Sequence, residues 1–179
     1  MALSNSTEVR IIQRGEYYLT PMSKEHIDGF LEVISIENQR EILLQGYPSI
    51  EVALNRMMEQ AEVYIARHNN GDIIFVGGLW HNDDMDFPQM FALFSEEIKS
   101  NFKMLARGSL MLVSFFDKTQ SAMSMSILSE YSPMVQWATW LGFEPVGLSD
   151  HNDNQYVDFV RCNPTKKNVY DSTSRPVMH

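Results

Sequence analysis

The sequence has almost no cysteine: Cys162 is the only one among 179 residues. A single thiol excludes an internal disulfide and any zinc site built on several thiolates, and it is consistent with a reducing compartment. Long apolar runs are missing too. The most apolar window, 104–116, contains Arg107 and Gly108 and is shorter than the roughly 20 residues that a membrane span needs. We therefore expect a buried helix in this window.

Basic residues are scarce. Fourteen Lys and Arg stand against 23 Asp and Glu, which gives a net charge of -9. Such a field repels phosphate backbones and anionic lipid, so it argues against nucleic acid and membrane surfaces as partners. The first ten residues carry neither a basic segment nor an apolar segment of the signal-peptide type. We expect the protein to stay in the cytoplasm.

The composition that remains is that of a globular domain. Apolar residues make up 44% and charged residues 21% of the chain, close to the soluble average. The length suits one domain, which we place at residues 1–162. Residues 163–179 show no periodicity and include the basic pair Lys166 and Lys167, so we expect a C-terminal tail that is flexible or bound to a partner.

Hydrophobic periodicity predicts helices and strands in a mixed order. Helical spacing is clear after Ser23, which can cap the helix, and again after the breaker at 46–49. A strand that follows a long helix implies a right-handed parallel crossover. The predicted strands are 9–13, 63–67, 73–80, 87–94, 122–128, 144–148 and 155–162, and the predicted helices are 23–34, 37–45, 50–61, 96–118 and 133–141.

The segment from Trp137 to Gly147 contains Leu-Gly-Phe-Glu after a long helix and a strand. This motif and the order of elements over 9–161 resemble the GCN5-related N-acetyltransferase (GNAT) family. The resemblance implies an α/β (α+β) fold with a mixed central sheet of about six to seven strands flanked by helices. It also implies acetyl-coenzyme A as the cofactor of active members.

Within that family, the chain is most similar to the internal virion proteins of short-tailed phages. The similar features are Val76-Gly77-Gly78, Phe94-Ser95 before a helix containing Lys99, and the turn from Trp137 to Gly142. This resemblance implies a non-catalytic protein that contacts other proteins, phage virion proteins above all, during virion assembly or inside the particle. Its location would be the host cytoplasm and the virion.

The phosphate-binding loop of the family is altered here. Active members hold the cofactor's pyrophosphate on a Gln/Arg-x-x-Gly-x-Gly/Ala loop, whose glycines allow close backbone approach. The matching segment 95–100 has no glycine, and Glu96 and Glu97 place two negative charges there. We therefore expect no cofactor. If acetyl-coenzyme A does bind, the candidates for holding it are Ser95, Ile98, Lys99 and Ser100.

The family's catalytic groups are also incomplete. Its usual general acid, a Tyr, falls on Ala138, which has no proton to give. The candidates that could replace the acid and the base are Tyr131, Asp86 and Glu96. Two hypotheses remain: a non-catalytic GNAT-like protein, which we favour, and an acetyl-coenzyme-A-dependent N-acetyltransferase with an atypical pyrophosphate loop.

A loop of possible metal ligands contains His81, Asp83, Asp84 and Asp86. Its spacing lacks the Gly and the closing Glu of a calcium loop, so we expect a solvated turn and no metal. The pair Gly77-Gly78 precedes no helix, and close packing or a bulge explains it better than a phosphate site.

Overall fold

The computed structural model describes residues 9–83 and 85–165. Within them, eight strands form one sheet in the order β1-β2-β3-β4-β5-β6-β8-β7. The strands are β1 Ile12–Arg14, β2 Tyr17–Pro21, β3 Ala61–His68, β4 Ile73–Trp80, β5 Gln89–Phe94, β6 Ala122–Leu128, β7 Glu144–His151 and β8 Asn154–Cys162. The helices are α1 Ile27–Leu31, α2 Ile36–Leu44, α3 Ile50–Gln60, α4 Phe102–Phe116 and α5 Ser132–Trp140, with 3₁₀ turns at Lys24–His26 and Glu96–Ser100.

The sheet is antiparallel except where β5 meets β6. All other neighbouring strands pair antiparallel, and β4 and β5 share six residue pairs. The parallel neighbours β5 and β6 share one pair in the described part of the chain, Gln89 with Ser124. This confirms the predicted parallel crossover and leaves the two strands open to each other beyond their first residues.

Two hydrophobic cores cover the two faces of the sheet. Side chains of α4 and α5 pack on one face with Phe75, Phe94 and Met125, while α1, α2 and α3 pack on the other with Ile65 and Val76. The period-two alternation of strand side chains produces this division. The mixed α+β architecture predicted from the sequence is confirmed, with eight strands in place of six to seven.

Close packing explains the glycines of β4. A Cβ on Gly78 would collide with the backbone oxygen of Glu62 in β3, and a Cβ on Gly77 would come within 2.6 Å of Leu112 in α4. In turn, a Cβ on Gly108 of α4 would come within 2.6 Å of the ring of Phe75. Missing side chains on both surfaces let α4 lie flat against the sheet.

A buried ion pair joins β8 to α4. Arg161, which is 9% exposed, donates two parallel hydrogen bonds to the carboxylate of Asp117, just after α4. The Nε of Arg161 also donates to the carbonyl of Leu141 at 3.0 Å. The arginine therefore holds the end of α4, the turn after α5 and the strand β8 together.

Several predicted boundaries were wrong. The helix predicted over 96–118 starts late, because Glu96–Ser100 forms a 3₁₀ turn and Asn101 caps α4 by accepting the Met104 N–H at 3.2 Å. The first strand lies at Ile12–Arg14 and not at 9–13, and the sequence analysis missed β2, the strand it pairs with. The remaining elements agree with the prediction to within a few residues.

No helix in the described ranges is long and apolar enough to cross a membrane. Most of the predicted tail, 166–179, lies outside the described residues. Its expected flexibility and partner binding stay predictions.

Candidate functional site

Beyond their single pair, β5 and β6 enclose a cavity of about 370 Å³, which we call the slot. It passes between the strands, so side chains from both faces of the sheet line it. They are Asn38, Glu41, Ile42, Gln45, Tyr47, Met57, Trp80, Asn82, Met85, Gln89, Met90, Phe91, Ala92, Leu93, Phe94, Met125, Ser126, Ile127, Met134 and Trp137. The lining is mixed: apolar side chains alternate with polar ones, and four of the polar ones, Asn38, Glu41, Gln45 and Tyr47, come from α2 and its following loop.

At the end of β5, the first wall of the slot, α2 supplies the hydrogen bonds that a neighbouring strand would otherwise make. The backbone N–H of Phe94 donates to Oδ1 of Asn38 at 2.7 Å, and the carbonyl of Phe94 accepts the N–H of Ser35 at 2.8 Å. Asn38 is 2% exposed, and the Ser35 hydroxyl donates to the same Oδ1 at 3.1 Å. The side-chain carbonyl of Asn38 thus takes the position that a backbone carbonyl of a neighbouring strand would have.

Glu41 extends this arrangement towards β6, the second wall. Burial raises the pKa of its carboxyl, and hydrogen bonding to the Asn38 side chain and to the backbone N–H of Leu128 only partly opposes that rise. Its surroundings therefore make Glu41 a stronger base than an exposed glutamate. A carboxylate of this kind on the wall of the slot can accept a proton from a bound group.

A second cavity of about 480 Å³, which we call the chamber, adjoins the slot on the α2 and α3 side. It is lined by Gln45, Gly46, Tyr47, Arg56, Trp80, Gln89, Ser126, Ser149, His151 and Tyr156. Five of these residues also line the slot: Gln45, Tyr47, Trp80, Gln89 and Ser126. Over the chamber, the β7–β8 turn contacts the end of α2, where Nδ2 of Asn152 donates to the Leu44 carbonyl at 3.2 Å.

The floor of the chamber is an array of oxygens on β6, β7 and β8. The hydroxyls of Ser126 and Ser149 both donate to Oδ1 of Asp158, at 2.7 and 3.1 Å. Asp158 is 8% exposed. Because both hydroxyl protons point to the carboxylate, the serine oxygens have lone pairs left for a donor, and the charge behind them favours a cation.

Beside this floor lies an unused hydroxyl. Tyr156 is 4% exposed, and its hydroxyl has no hydrogen-bond partner among the described residues. Burial raises the pKa of the Tyr156 phenol, and the negative charge of Glu41 raises it further. The phenol therefore keeps its proton at neutral pH and is available as a hydrogen-bond donor.

The segment predicted to hold the cofactor, 95–100, is bound to the protein's own residues. The backbone N–H of Glu96 donates to the carbonyl of Val33 at 2.7 Å, and its carboxylate accepts the N–H of Ile36 at 3.2 Å. Nζ of Lys99 lies 2.6 Å from Glu37 and 2.6 Å from Glu96. Those two carboxylates raise the pKa of Lys99, and the segment forms no open cradle of backbone N–H groups.

The other two described candidates for cofactor binding are buried. Ile98 is 7% exposed and packs in the core with α4. Ser95 is 1% exposed, and its hydroxyl has no partner among the described residues. The backbone of Ser100 ends the 3₁₀ turn. As it stands, the segment 95–100 does not fit a pyrophosphate. The slot between β5 and β6, in contrast, has room for an extended chain that carries amide groups.

Two of the three catalytic candidates lie at the same edge of the sheet, because Glu96 follows β5, Tyr131 follows β6, and these two strands are parallel. Tyr131 precedes α5 at the far end of β6, and burial first, then the charge of Glu37, raises the pKa of its phenol, with Glu96 adding to the effect. Asp86 is exposed in the turn before β5, near the end where the strands pair. Ala138 is fully buried.

The sequence analysis missed the residues that dominate the site: Asn38, Glu41, Ser126, Tyr156 and Asp158. One signal was available, because Asp158 sits on the same side of an alternating strand as Tyr156 and Val160. An acid at such a position is unexpected unless it has partners. Nothing comparable marks Asn38 and Glu41 on a short polar helix.

The absence of metal at the turn 81–86 stays a prediction. No group of three or more potential ligands was found among the described residues, which exclude Asp84. His81 instead lies 3.3 Å from the carboxylate of Glu62.

The sequence matches no protein-family model and no curated protein. Solved structures match in fold. A GNAT-family acetyltransferase from Bordetella pertussis has a TM-score of 0.66 and 14% identity, covering 84% of this chain and 98% of its own. The ribosomal-protein-S5-alanine acetyltransferase from Vibrio fischeri has a TM-score of 0.63 and 11% identity, covering 86% and 96%.

The spermidine N-acetyltransferase from Vibrio cholerae, solved in complex with CoA and spermine, has a TM-score of 0.62 and 10% identity, with 86% and 99% covered. At such identities the similarity shows the fold alone. The chain has the GNAT fold, and the fold expected from the Leu-Gly-Phe-Glu segment is confirmed. None of these matches bears on the expected resemblance to phage virion proteins, which stays a prediction.

Proposed function

We propose that this protein is an acetyl-coenzyme-A-dependent N-acetyltransferase with an atypical pyrophosphate loop. The observation that carries this proposal is the slot, where β5 and β6 share one pair and leave about 370 Å³ between them. A core normally closes such a space, because empty volume is destabilising. The named structural neighbours are acetyltransferases, and one of them was solved with CoA.

In this proposal the cofactor supplies an acetyl group as a reactive thioester. The backbone of β5 near Phe94 would hold the cofactor's amide-containing arm, and with the arm in place the apolar side chains of Met125, Ile127 and Trp137 would exclude water from the slot. Glu41 would accept the proton of the attacking amine, since burial has raised its pKa. At the loop, Lys99 would have to exchange a glutamate partner for phosphate.

The acceptor would be an amine that enters through the chamber. Its floor presents hydroxyl oxygens supported by the Asp158 carboxylate, which suits a group that donates hydrogen bonds and carries positive charge. One structural neighbour binds spermine, which supports a cationic amine here.

Calorimetric titration of acetyl-coenzyme A into the purified protein tests the proposal, with desulfo-coenzyme A as the second ligand. We expect binding near micromolar, about -8 kcal/mol, for both ligands. Absence of heat with both ligands at millimolar concentration would contradict the proposal.

The amine subsite has a separate test. Asp158→Asn should weaken binding of spermidine or a short diamine by roughly tenfold or more, because it removes the charge behind the two hydroxyls. The matched control is Asp150→Asn, an exposed acid on the adjoining strand β7. Equal amine binding by the two variants would exclude Asp158 from the subsite.

A second candidate is the non-catalytic protein favoured by the sequence, acting through contacts with other proteins. The closed segment 95–100, with Lys99 held by Glu37 and Glu96, favours it. Its phage and virion context stays a prediction. This candidate predicts that coenzyme A ligands do not bind, and that removing 163–179 weakens partner binding without unfolding the domain.

A further inference from the structure

We propose that α2 is a built-in latch that closes the slot by occupying the backbone groups a ligand would use, so that α2 must move before a ligand enters. The ligand's identity rests on the proposed function, whereas the latch itself does not. The latch consists of α2 and the Ser35 that precedes it.

The latch holds the β5 wall through Asn38. Its Oδ1 accepts a hydrogen bond from the Phe94 N–H at 2.7 Å, and the N–H of the preceding Ser35 donates to the Phe94 carbonyl at 2.8 Å. Both polar groups of one strand residue are thus paired by α2. A ligand with amide groups that extends along β5 would need these same two groups.

The β6 wall is held through Glu41. Its carboxylate lies near the Leu128 backbone N–H and the Asn38 side chain, whose hydrogen bonding lowers the Glu41 pKa against the larger, raising effect of burial. Asn38 and Glu41 lie three positions apart, on the same side of a helix. Together they connect Phe94 to Leu128 across the slot, with no backbone pairing between the two residues.

Two ion pairs on the surface fasten the latch from outside. Arg40 lies 2.9 Å from Glu130, which follows β6, and both side chains are more than half exposed. Glu37 lies 2.6 Å from Lys99, which follows β5. Exposed ion pairs contribute little individually, so these contacts favour closure without preventing opening.

The rest of α2 is loosely attached. Its buried residues are Asn38 and Ile42, and of these only Ile42 is apolar, while Ile36 is 71% and Leu43 51% exposed. Apolar burial is what normally keeps a helix in place. A helix of nine residues with one buried apolar side chain has little apolar burial to hold it against the sheet, so polar contacts carry most of its attachment.

Cross-linking across the slot tests the latch. In a Cys162→Ser background, Arg40→Cys and Glu130→Cys place two thiols at exposed positions that face each other. A short bismaleimide locks α2 shut, and treatment of the same variant with N-ethylmaleimide is the control. The readouts are hydrogen exchange of the Phe94 and Leu128 amides by NMR and calorimetric binding of acetyl-coenzyme A.

We expect the locked protein to exchange both amides roughly tenfold more slowly than the control, and to bind acetyl-coenzyme A roughly tenfold more weakly. Asn38→Ala should do the opposite, with faster exchange at Phe94 and tighter binding. Equal exchange in the locked and control proteins would overturn the latch. If the control binds no acetyl-coenzyme A, the proposed function fails, and the exchange measurement still decides the latch.

Discussion

The two neighbours of β5 differ in how they are joined to it. On one side, β4 and β5 share six pairs, and Gly78 of β4 packs directly against the backbone of β3 and the ring of Phe91. On the other side, β5 and β6 share one pair, and α2 side chains complete the hydrogen bonding. The β4–β5 interface, which backbone pairing holds, should stay closed, whereas the β5–β6 interface, which side chains hold, can open.

This difference has a consequence for β6, β8 and β7. Since they meet the rest of the sheet through a single pair, side chains must hold them in place. The bidentate contact between Arg161 and Asp117 is the strongest polar contact of this kind in the described residues, and it joins β8 to α4.

The largest effect should come from breaking that contact. Asp117→Ala leaves the buried Arg161 guanidinium without its anion, and we expect it to lower the free energy of unfolding by about 3 to 5 kcal/mol. Urea denaturation followed by circular dichroism measures it. Asp150→Ala is the control, and an effect no larger than the control's would show that other contacts hold these strands.

A single added methyl group should disrupt the packing around β4 and β5. Gly78→Ala puts a Cβ against the Glu62 carbonyl oxygen and the Phe91 ring, which should destabilise the fold by roughly 2 to 3 kcal/mol. Gly147→Ala is the control, since nothing lies within 4 Å of its Cβ position. Similar unfolding midpoints for the two variants would contradict the packing described for β4 and β5.

A smaller loss of stability is expected at the β5–β6 interface. Asn38→Ala removes the partner of the Phe94 N–H, and because water can reach the slot, we expect a cost of about 1 kcal/mol. Differential scanning calorimetry measures the shift in melting temperature. A loss as large as that of Gly78→Ala would show that α2 is a fixed part of the sheet.

The smallest expected effect is the dependence of stability on pH through Glu41. The raised pKa of Glu41 means that the folded protein holds this proton more tightly than the unfolded chain does. Stability from this group is therefore full below the ordinary value of 4.5 and is lost as pH rises through the raised pKa. Relative to Glu41→Gln, the wild type should lose melting temperature over that window.

The matched control for this comparison is Glu59→Gln, an exposed glutamate on α3. A constant difference between the wild type and Glu41→Gln at all pH values, like that of the control, would contradict the buried environment assigned to Glu41.

Local patterns predicted the fold well where one face of an element is buried. The strand β6 was predicted over 122–128 because Met123, Met125 and Ile127 alternate with Ser124 and Ser126. The strand β2 was missed because its first four residues, Tyr17 to Thr20, are all buried, which leaves no alternation to detect. The start of α4 was misplaced because contacts with residues 33–37 fix the preceding turn.

The candidate site was less predictable because contacts distant in sequence create it. Asn38 meets Phe94 across 56 positions, and Ser126 meets Asp158 across 32. Asn38 lies in a polar stretch of α2 that reads in the sequence as a solvent-exposed face. The family pattern directed attention to 95–100, where the structure shows a closed turn, and away from α2, which reaches into the slot.

The most direct test of the account is an NMR titration of the ¹⁵N-labelled protein with acetyl-coenzyme A. We predict saturable shifts concentrated at the amides of Ala92, Phe94 and Leu128, together with the side-chain amide of Asn38, as the ligand takes the place of Asn38 and Ser35 at the Phe94 backbone. Shifts absent at millimolar ligand, or confined to residues outside the slot and its loop, would contradict it.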